Sequence, residues 1–203
     1  MATRGILLAS LLLSCLIQAC YGAVLFSSLK NTLQVTTSTK QGVLQAGEDR
    51  ITVTWGLNQS LPAGSGSDYK TIEVKLCYAP ISQKDRSWRK TEDLLTKDKT
   101  CQFKIVERPY NNSLQTLDSI IEKDVPTAKY FVRAYAFNAD GDEVAYGQST
   151  NDEKTTNLFD VRGISGRHVS LDIASVCFSA FSVLSLFFFF FMEKRRGKTT
   201  QHK

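Results

Sequence analysis

Histidine is nearly absent from this sequence. Two occur in 203 residues, His168 at the edge of an apolar run and His202 in the terminal basic stretch. Neither is placed to complete a Ser-His-Asp or Cys-His set in the body of the chain. Cysteine is scarce as well, at five, and no Cys or His stand paired at metal-ligand spacing. There is no phosphate-binding loop and no Gly-rich dinucleotide loop. Carboxylates are plentiful, so counting alone leaves an acid pair open. The expectation is still a chain with no catalytic residues, no metal and no cofactor.

A usable charge imbalance is also missing. The formal net charge is +5, but Arg4 and the tail from Glu193 onward account for all of it. The long middle is neutral overall and offers no basic face for nucleic acid.

What the chain does have is two apolar runs. The first, "GILLASLLLSCLI" after Arg4, is short and ends in small residues. It reads as a secretory signal peptide over residues 1–22, cleaved after Gly22, with a lipoprotein signal at Cys20 as the weaker option. The second, Ile173 to Met192, is twenty residues without a charge. At 1.5 Å of rise per residue it spans about 30 Å, the thickness of a bilayer core. Glu193, Lys194, Arg195, Arg196 and Lys198 follow, and a basic flank marks the cytosolic side. The expected layout is single-pass type I: an extracellular β domain over 23–150, a stalk or collar over 151–172, a span over 173–192, and a cytosolic tail over 193–203. One such span offers an ion no hydrated route. Ser175, Ser179 and Ser182 share one helix face, either as a packing stripe for a neighbouring helix or as lipid-facing filler.

With Cys15 and Cys20 in the signal and Cys177 in the span, Cys77 and Cys101 are the pair left outside, where disulfides persist. Asn58-Gln59-Ser60 and Asn111-Asn112-Ser113 are glycosylation acceptors.

The external part alternates with period two. In "RITVTWGL", Ile51, Val53, Trp55 and Leu57 oppose Thr52 and Thr54; "KTIEVKLCY" and "KYFVRAYAFNADGDEVAYGQST" add a strand and a hairpin. The expected fold is mostly β, an immunoglobulin-like β-sandwich. Trp55 resembles the second-strand Trp of a fibronectin type III or immunoglobulin-like domain. Pro126 and Tyr130 resemble the tyrosine corner, although Asp124 stands where the family has Leu. Tyr130, Val132, Ala134 and Ala136 are expected in the core.

Between the cysteines the alternation stops. "KDRSWRKTEDLLTKDK", Lys84 to Lys99, carries six basic and four acidic residues in sixteen. It is either a solvated loop or a docking surface, an insertion over 82–100 in which Trp88, Leu94 and Leu95 seat one face of a short helix. "NLFDVRGI" near 160 is either stalk or collar. A β domain on a tether then reads as an accessory subunit of another membrane protein. The alternative is an adhesion or receptor-like binding protein, which the short tail without tyrosine disfavours.

Taken together, "VKLCYAPISQKDRSWRKTEDLLTKDKTCQFKI", "YFVRAYAFNADGDEVAYGQST" and "KTTNLFDVRGISGRHVSLDIASVCFSAFSVLSLF" resemble the plant high-affinity nitrate transporter-activating proteins. That resemblance implies a subunit of the plasma membrane that associates with a nitrate transporter of the major facilitator type and supports its activity. It also implies that the charged insertion meets this partner, through Arg89 and Asp98 with Trp88 and Lys90 beside them. It implies no nitrate site in this chain.

Overall fold

The computed structural model describes residues 24–62 and 64–200. The expected signal peptide, with Cys15 and Cys20, lies outside the described residues, as does His202. The chain divides into two units, one ending at Ile164 and the other starting at Ser165.

The first unit is a sandwich. Among its described residues the strands are β1 (Lys30–Asn31), β2 (Leu33–Thr39), β3 (Leu44–Gln45), β4 (Arg50–Leu57), β5 (Thr71–Tyr78), β6 (Phe103–Pro109), β7 (Gln115–Ile120), β8 (Ala128–Phe137), β9 (Glu143–Gln148) and β10 (Phe159–Arg162). The smaller sheet is β2-β4-β7, antiparallel throughout. In the larger, β6, β5 and β8 are adjacent. The far edge of β8 is shared between β9, which leads to β1, and β10, which leads to β3.

The alternation in sequence becomes the core. Ile51, Val53 and Trp55 of β4 face Ile72, Val74 and Leu76 of β5 and Val132, Ala134 and Ala136 of β8 in one apolar cluster. Burial of this kind contributes about 25 cal/mol per Å² of apolar surface. The opposite face of β4 is polar, where the Thr54 and Thr116 hydroxyls meet at 2.9 Å. Gly147 leaves no room for a side chain: a Cβ there would strike the Leu33 carbonyl, where β9 crosses β2.

The tyrosine corner is present. The buried Tyr130 hydroxyl donates to the Pro126 carbonyl at 2.7 Å. Val125, next to the unexpected Asp124, is buried in the apolar core. Tyr130 stacks on Tyr78 with centroids 5.1 Å apart, and Phe103 closes the cluster edge-on to Tyr78 at 5.8 Å. Burial, and then the neighbouring Tyr78, push the Tyr130 hydroxyl far above the ordinary tyrosine range.

One expectation is corrected here. The sandwich does not stop at 150. Phe159 and Val161 are buried, and β10 pairs antiparallel with β8 and parallel with β3. The apolar knot that suggested a stalk or collar has its partner inside its own domain, with Lys129 and Asp160 bridging the two strands at 2.9 Å.

The second unit holds one helix among the described residues, α2, Val169–Thr200; the four-residue α1, Pro80–Gln83, belongs to the sandwich. Of α2, the 27 residues Val169–Arg195 are long and apolar enough to cross a membrane, and none of that stretch is buried. The helix thus starts four residues before the expected 173. Ser175, Ser179 and Ser182 are exposed, and the Ser175 hydroxyl donates back to the Asp172 carbonyl at 2.8 Å. Asp172 sits in the first turn, where a negative charge suits the helix dipole, and pairs with Arg167 at 2.9 Å.

Candidate functional site

The charged insertion is closed at its base by the Cys77–Cys101 disulfide, 24 residues apart in sequence. Cys77 lies on β5 and Cys101 just ahead of β6, so the bond ties the loop to two paired strands. The short helix expected to carry Trp88, Leu94 and Leu95 does not form; that stretch holds a single 3-10 turn, Ser87–Arg89. Leu94 and Leu95 are half-buried, but Trp88 does not join them: it is 57% exposed.

What holds the loop is the segment that opens the described chain. The Phe26 amide donates to the Asp93 carbonyl at 2.6 Å, and the Leu95 amide donates to the Val24 carbonyl at 3.0 Å. Leu25 and Leu94 form an antiparallel bridge between them. The Asp93 carboxylate accepts the Ser27 amide at 2.9 Å and the Ser27 hydroxyl at 3.0 Å. Ser27 and Asp93 are 66 positions apart in sequence, so no local pattern announces their pairing.

Beneath this strap lies Arg133, on the face of β8 opposite the core and only 1% exposed. Its guanidinium donates to the Tyr135 hydroxyl and to the Gln148 side-chain carbonyl, each at 3.0 Å. It sits 4.3 Å from the Phe26 ring, which in turn meets the Tyr146 ring at a tilt, centroids 4.6 Å apart. Among the described residues no carboxylate pairs with it, and its Nε is unpartnered. Cation–π contacts and neutral acceptors carry the charge instead. Period-two reading assigns Arg133 to solvent; the cover comes from 24–28 and the insertion, which strand alternation cannot reveal. Tyr135 is raised by its burial, with Arg133 opposing. Half-buried Lys154 is lowered by its own burial and then by Arg133, with Asp98 opposing.

Two of the expected contact residues turn inward. Arg89 is 6% exposed, with its guanidinium 4.2 Å from the Tyr78 ring centre and Nη1 donating to the Ser82 carbonyl at 3.3 Å. Ser82 Oγ in turn accepts the Lys129 amide of β8 at 2.8 Å. Asp98 Oδ1 accepts three bonds, from the Thr100 hydroxyl at 2.6 Å, the Thr100 amide at 3.1 Å and the Glu92 amide at 3.2 Å. Lys90 pairs with Glu92 at 2.7 Å. The charges of the insertion are thus not all turned to solvent. Lys84, Arg86, Lys97 and Lys99 are exposed and form no ion pair among the described residues.

The two glycosylation acceptors share a geometry. Asn58 Oδ1 accepts the Ser60 amide at 3.0 Å and Asn111 Oδ1 accepts the Ser113 amide at 3.2 Å, both Asx turns. They stand at the end of the sandwich where β4 finishes and β7 begins. No group of three or more His, Cys, Asp or Glu suited to a metal occurs among the described residues.

Comparison with known proteins fits this architecture. Residues 26–166 match the family described as "High-affinity nitrate transporter accessory, Ig-like domain". The chain is 54% identical to "High-affinity nitrate transporter 3.1" of Arabidopsis thaliana, over 100% of both chains. It is 52% identical to "High-affinity nitrate transporter-activating protein 2.1" of Oryza sativa subsp. japonica, over 85% of this chain and 82% of that one. A solved structure, CvAA9A, aligns over 64% of this chain and 60% of its own at 14% identity with a TM-score of 0.32, too distant to bear on function. An immunoglobulin-like sandwich with the matching sequence from strap to β10, followed by one apolar helix, makes this chain a member of the high-affinity nitrate transporter accessory family.

Proposed function

We propose that this protein is a non-catalytic subunit that binds a high-affinity nitrate transporter of the major facilitator type in the plasma membrane, in a hetero-oligomer, and supports nitrate uptake by stabilising the assembled state. Anything that binds the folded, inserted transporter and not its unfolded form shifts the balance toward the former. The chain reaches the membrane through a cleaved signal peptide, keeps its sandwich outside, and carries N-glycans at Asn58 and Asn111. Both Asx turns hold the acceptor side chains at the surface.

The observation that carries this reading is the insertion. A disulfide, a strap from another part of the chain, the buried Arg89 and the half-buried Asp98 all order a loop that has no core of its own to build. Ordering sixteen residues, ten of them charged, costs conformational entropy of about 1 to 2 kcal/mol each in the backbone. That organisation suits a surface presented to a partner. α2 supplies a single span, and Ser175, Ser179 and Ser182 give it a face where a second helix can approach closely.

The test is capture of the full-length chain from its native membrane in mild detergent, with identification of what accompanies it. A multi-pass nitrate transporter in near-stoichiometric amount is the expected result. A surface receptor or matrix ligand in its place would favour adhesion and overturn the reading.

A further inference from the structure

We infer that the end of the sandwich from which the chain leaves for α2 is a contact surface in its own right, separate from the insertion, and that the extracellular face of the transporter covers it. The inference rests on the transporter-binding reading above and adds a second footprint to it.

The two ends of the sandwich differ in what they carry. β4 runs from one to the other, about 23 Å at the usual strand rise. Asn58 follows Leu57, the last residue of β4. Asn111 lies just ahead of β7, whose first residue, Gln115, pairs with Trp55. Both glycosylation acceptors therefore share one end. Sugars at that end are bulky and hydrated, and they hold other proteins off.

The opposite end, where Arg50 pairs with Ile120, is knit from three loops. The Ala46 amide donates to the Arg162 carbonyl at 3.0 Å and the Gly47 amide to the Ile121 carbonyl at 2.7 Å. The Ile121 amide returns to the Asp49 carbonyl at 3.0 Å, and the Gly163 amide donates to the Thr127 hydroxyl at 2.9 Å. Lys40 pairs with Asp49 at 2.6 Å, and Arg50 with Asp118 at 3.2 Å. Loops ordered in this way lose little further entropy when a partner binds.

That end presents apolar side chains to water. Val43 is 44% exposed, Ile120 48% and Ile164 59%. Covering them removes apolar surface from solvent, which favours association. Around them Glu48, Glu122 and Asp124 are exposed together with Lys123 and Arg162. More carboxylates than cations disfavour a phosphate-lined lipid surface, whereas a protein can answer both signs. Residues 165–168 join Ile164 to the first residue of α2, a reach of at most about 18 Å. A partner that meets α2 in the membrane is near enough to meet this end as well.

The experiment co-expresses full-length chain and transporter, captures the transporter in detergent, and measures the chain recovered with it. Glu122→Asn with Asp124→Thr places a glycosylation acceptor at this end. Glycosylated molecules of that variant are expected to be depleted from the complex at least about tenfold relative to its unglycosylated ones. Ile120→Glu with Ile164→Glu needs no sugar, and is expected to lower recovery by a similar factor while the β4 and β8 amides stay protected from exchange. Asn58→Gln with Asn111→Gln is expected to be recovered as wild type is. Equal recovery of both forms of the new acceptor variant, with undiminished recovery of the isoleucine variant, overturns the surface and leaves the transporter reading intact. Because detergent removes the bilayer, that result would assign the apolar end to lipid. Loss of recovery in Asn58→Gln with Asn111→Gln, at unchanged exchange protection, also overturns it, since the contact would then lie at the glycosylated end. A transporter that recovers no wild-type chain overturns the transporter reading and this surface together.

Discussion

The Asp93 carboxylate holds Ser27 twice, at the amide and at the hydroxyl, and so fastens the start of the described chain to the middle of the insertion. Two backbone bonds flank this clasp. Asp93→Ala removes an acceptor that two donors share at the surface, a local loss of about 0.5 to 1.5 kcal/mol. Hydrogen exchange at the Phe26 and Leu95 amides should quicken while the β4 and β8 amides stay protected. Unchanged protection at Phe26 would show that the strap holds without the clasp.

The disulfide makes a second prediction. Replacing Cys77 and Cys101 with Ala opens a loop of 24 residues and should lower unfolding free energy by about 3 kcal/mol. Intact-mass analysis after alkylation checks the bond itself. Free thiols at both positions in the native protein would contradict the structure.

Tyr130→Phe isolates the corner. The ring stays in its aromatic cluster, but the Pro126 carbonyl loses its donor. Destabilisation of about 1 to 3 kcal/mol is expected, read from urea unfolding with an unchanged m-value. A shift smaller than the error of that measurement would mean water replaces the hydroxyl.

Lys154 makes one pH-dependent contribution to stability. Burial lowers its ammonium pKa in the folded state, with Arg133 adding to the effect. A lysine that binds its proton less tightly when folded weakens folding at neutral pH. The penalty is full below the lowered folded value and disappears above the ordinary lysine pKa of about 10.4. This contribution to stability should therefore climb as pH rises through that window. Lys154→Met should raise the midpoint of unfolding at neutral pH and flatten the climb. A variant less stable than wild type at neutral pH would contradict this account of the site.

Much of the sandwich is legible in the sequence because its strands obey a local rule. Ile51, Val53 and Trp55, or Val132, Ala134 and Ala136, announce a buried face within a few residues. The corner is legible from Pro126 and Tyr130 even with Asp124 out of pattern, because Val125 supplies the apolar side chain one place later. The Cys77–Cys101 pair follows from compartment and elimination. What sequence conceals depends on contacts across long separations. β10 reads as a stalk because its partners, β3 and β8, lie far upstream. Arg133 reads as solvent-facing because its cover arrives from Phe26. Arg89 reads as an outward charge because nothing within the loop foretells its stack on Tyr78.

The central claim is tested most directly by uptake of isotopically labelled nitrate at low external concentration, in cells lacking their own high-affinity system. The transporter is expressed alone, with this chain, or with its Trp88→Ala variant. Flux should appear with the pair, stay near background for either protein alone, and fall sharply with the variant. Full flux from the transporter by itself, unchanged when this chain is added, would contradict the account.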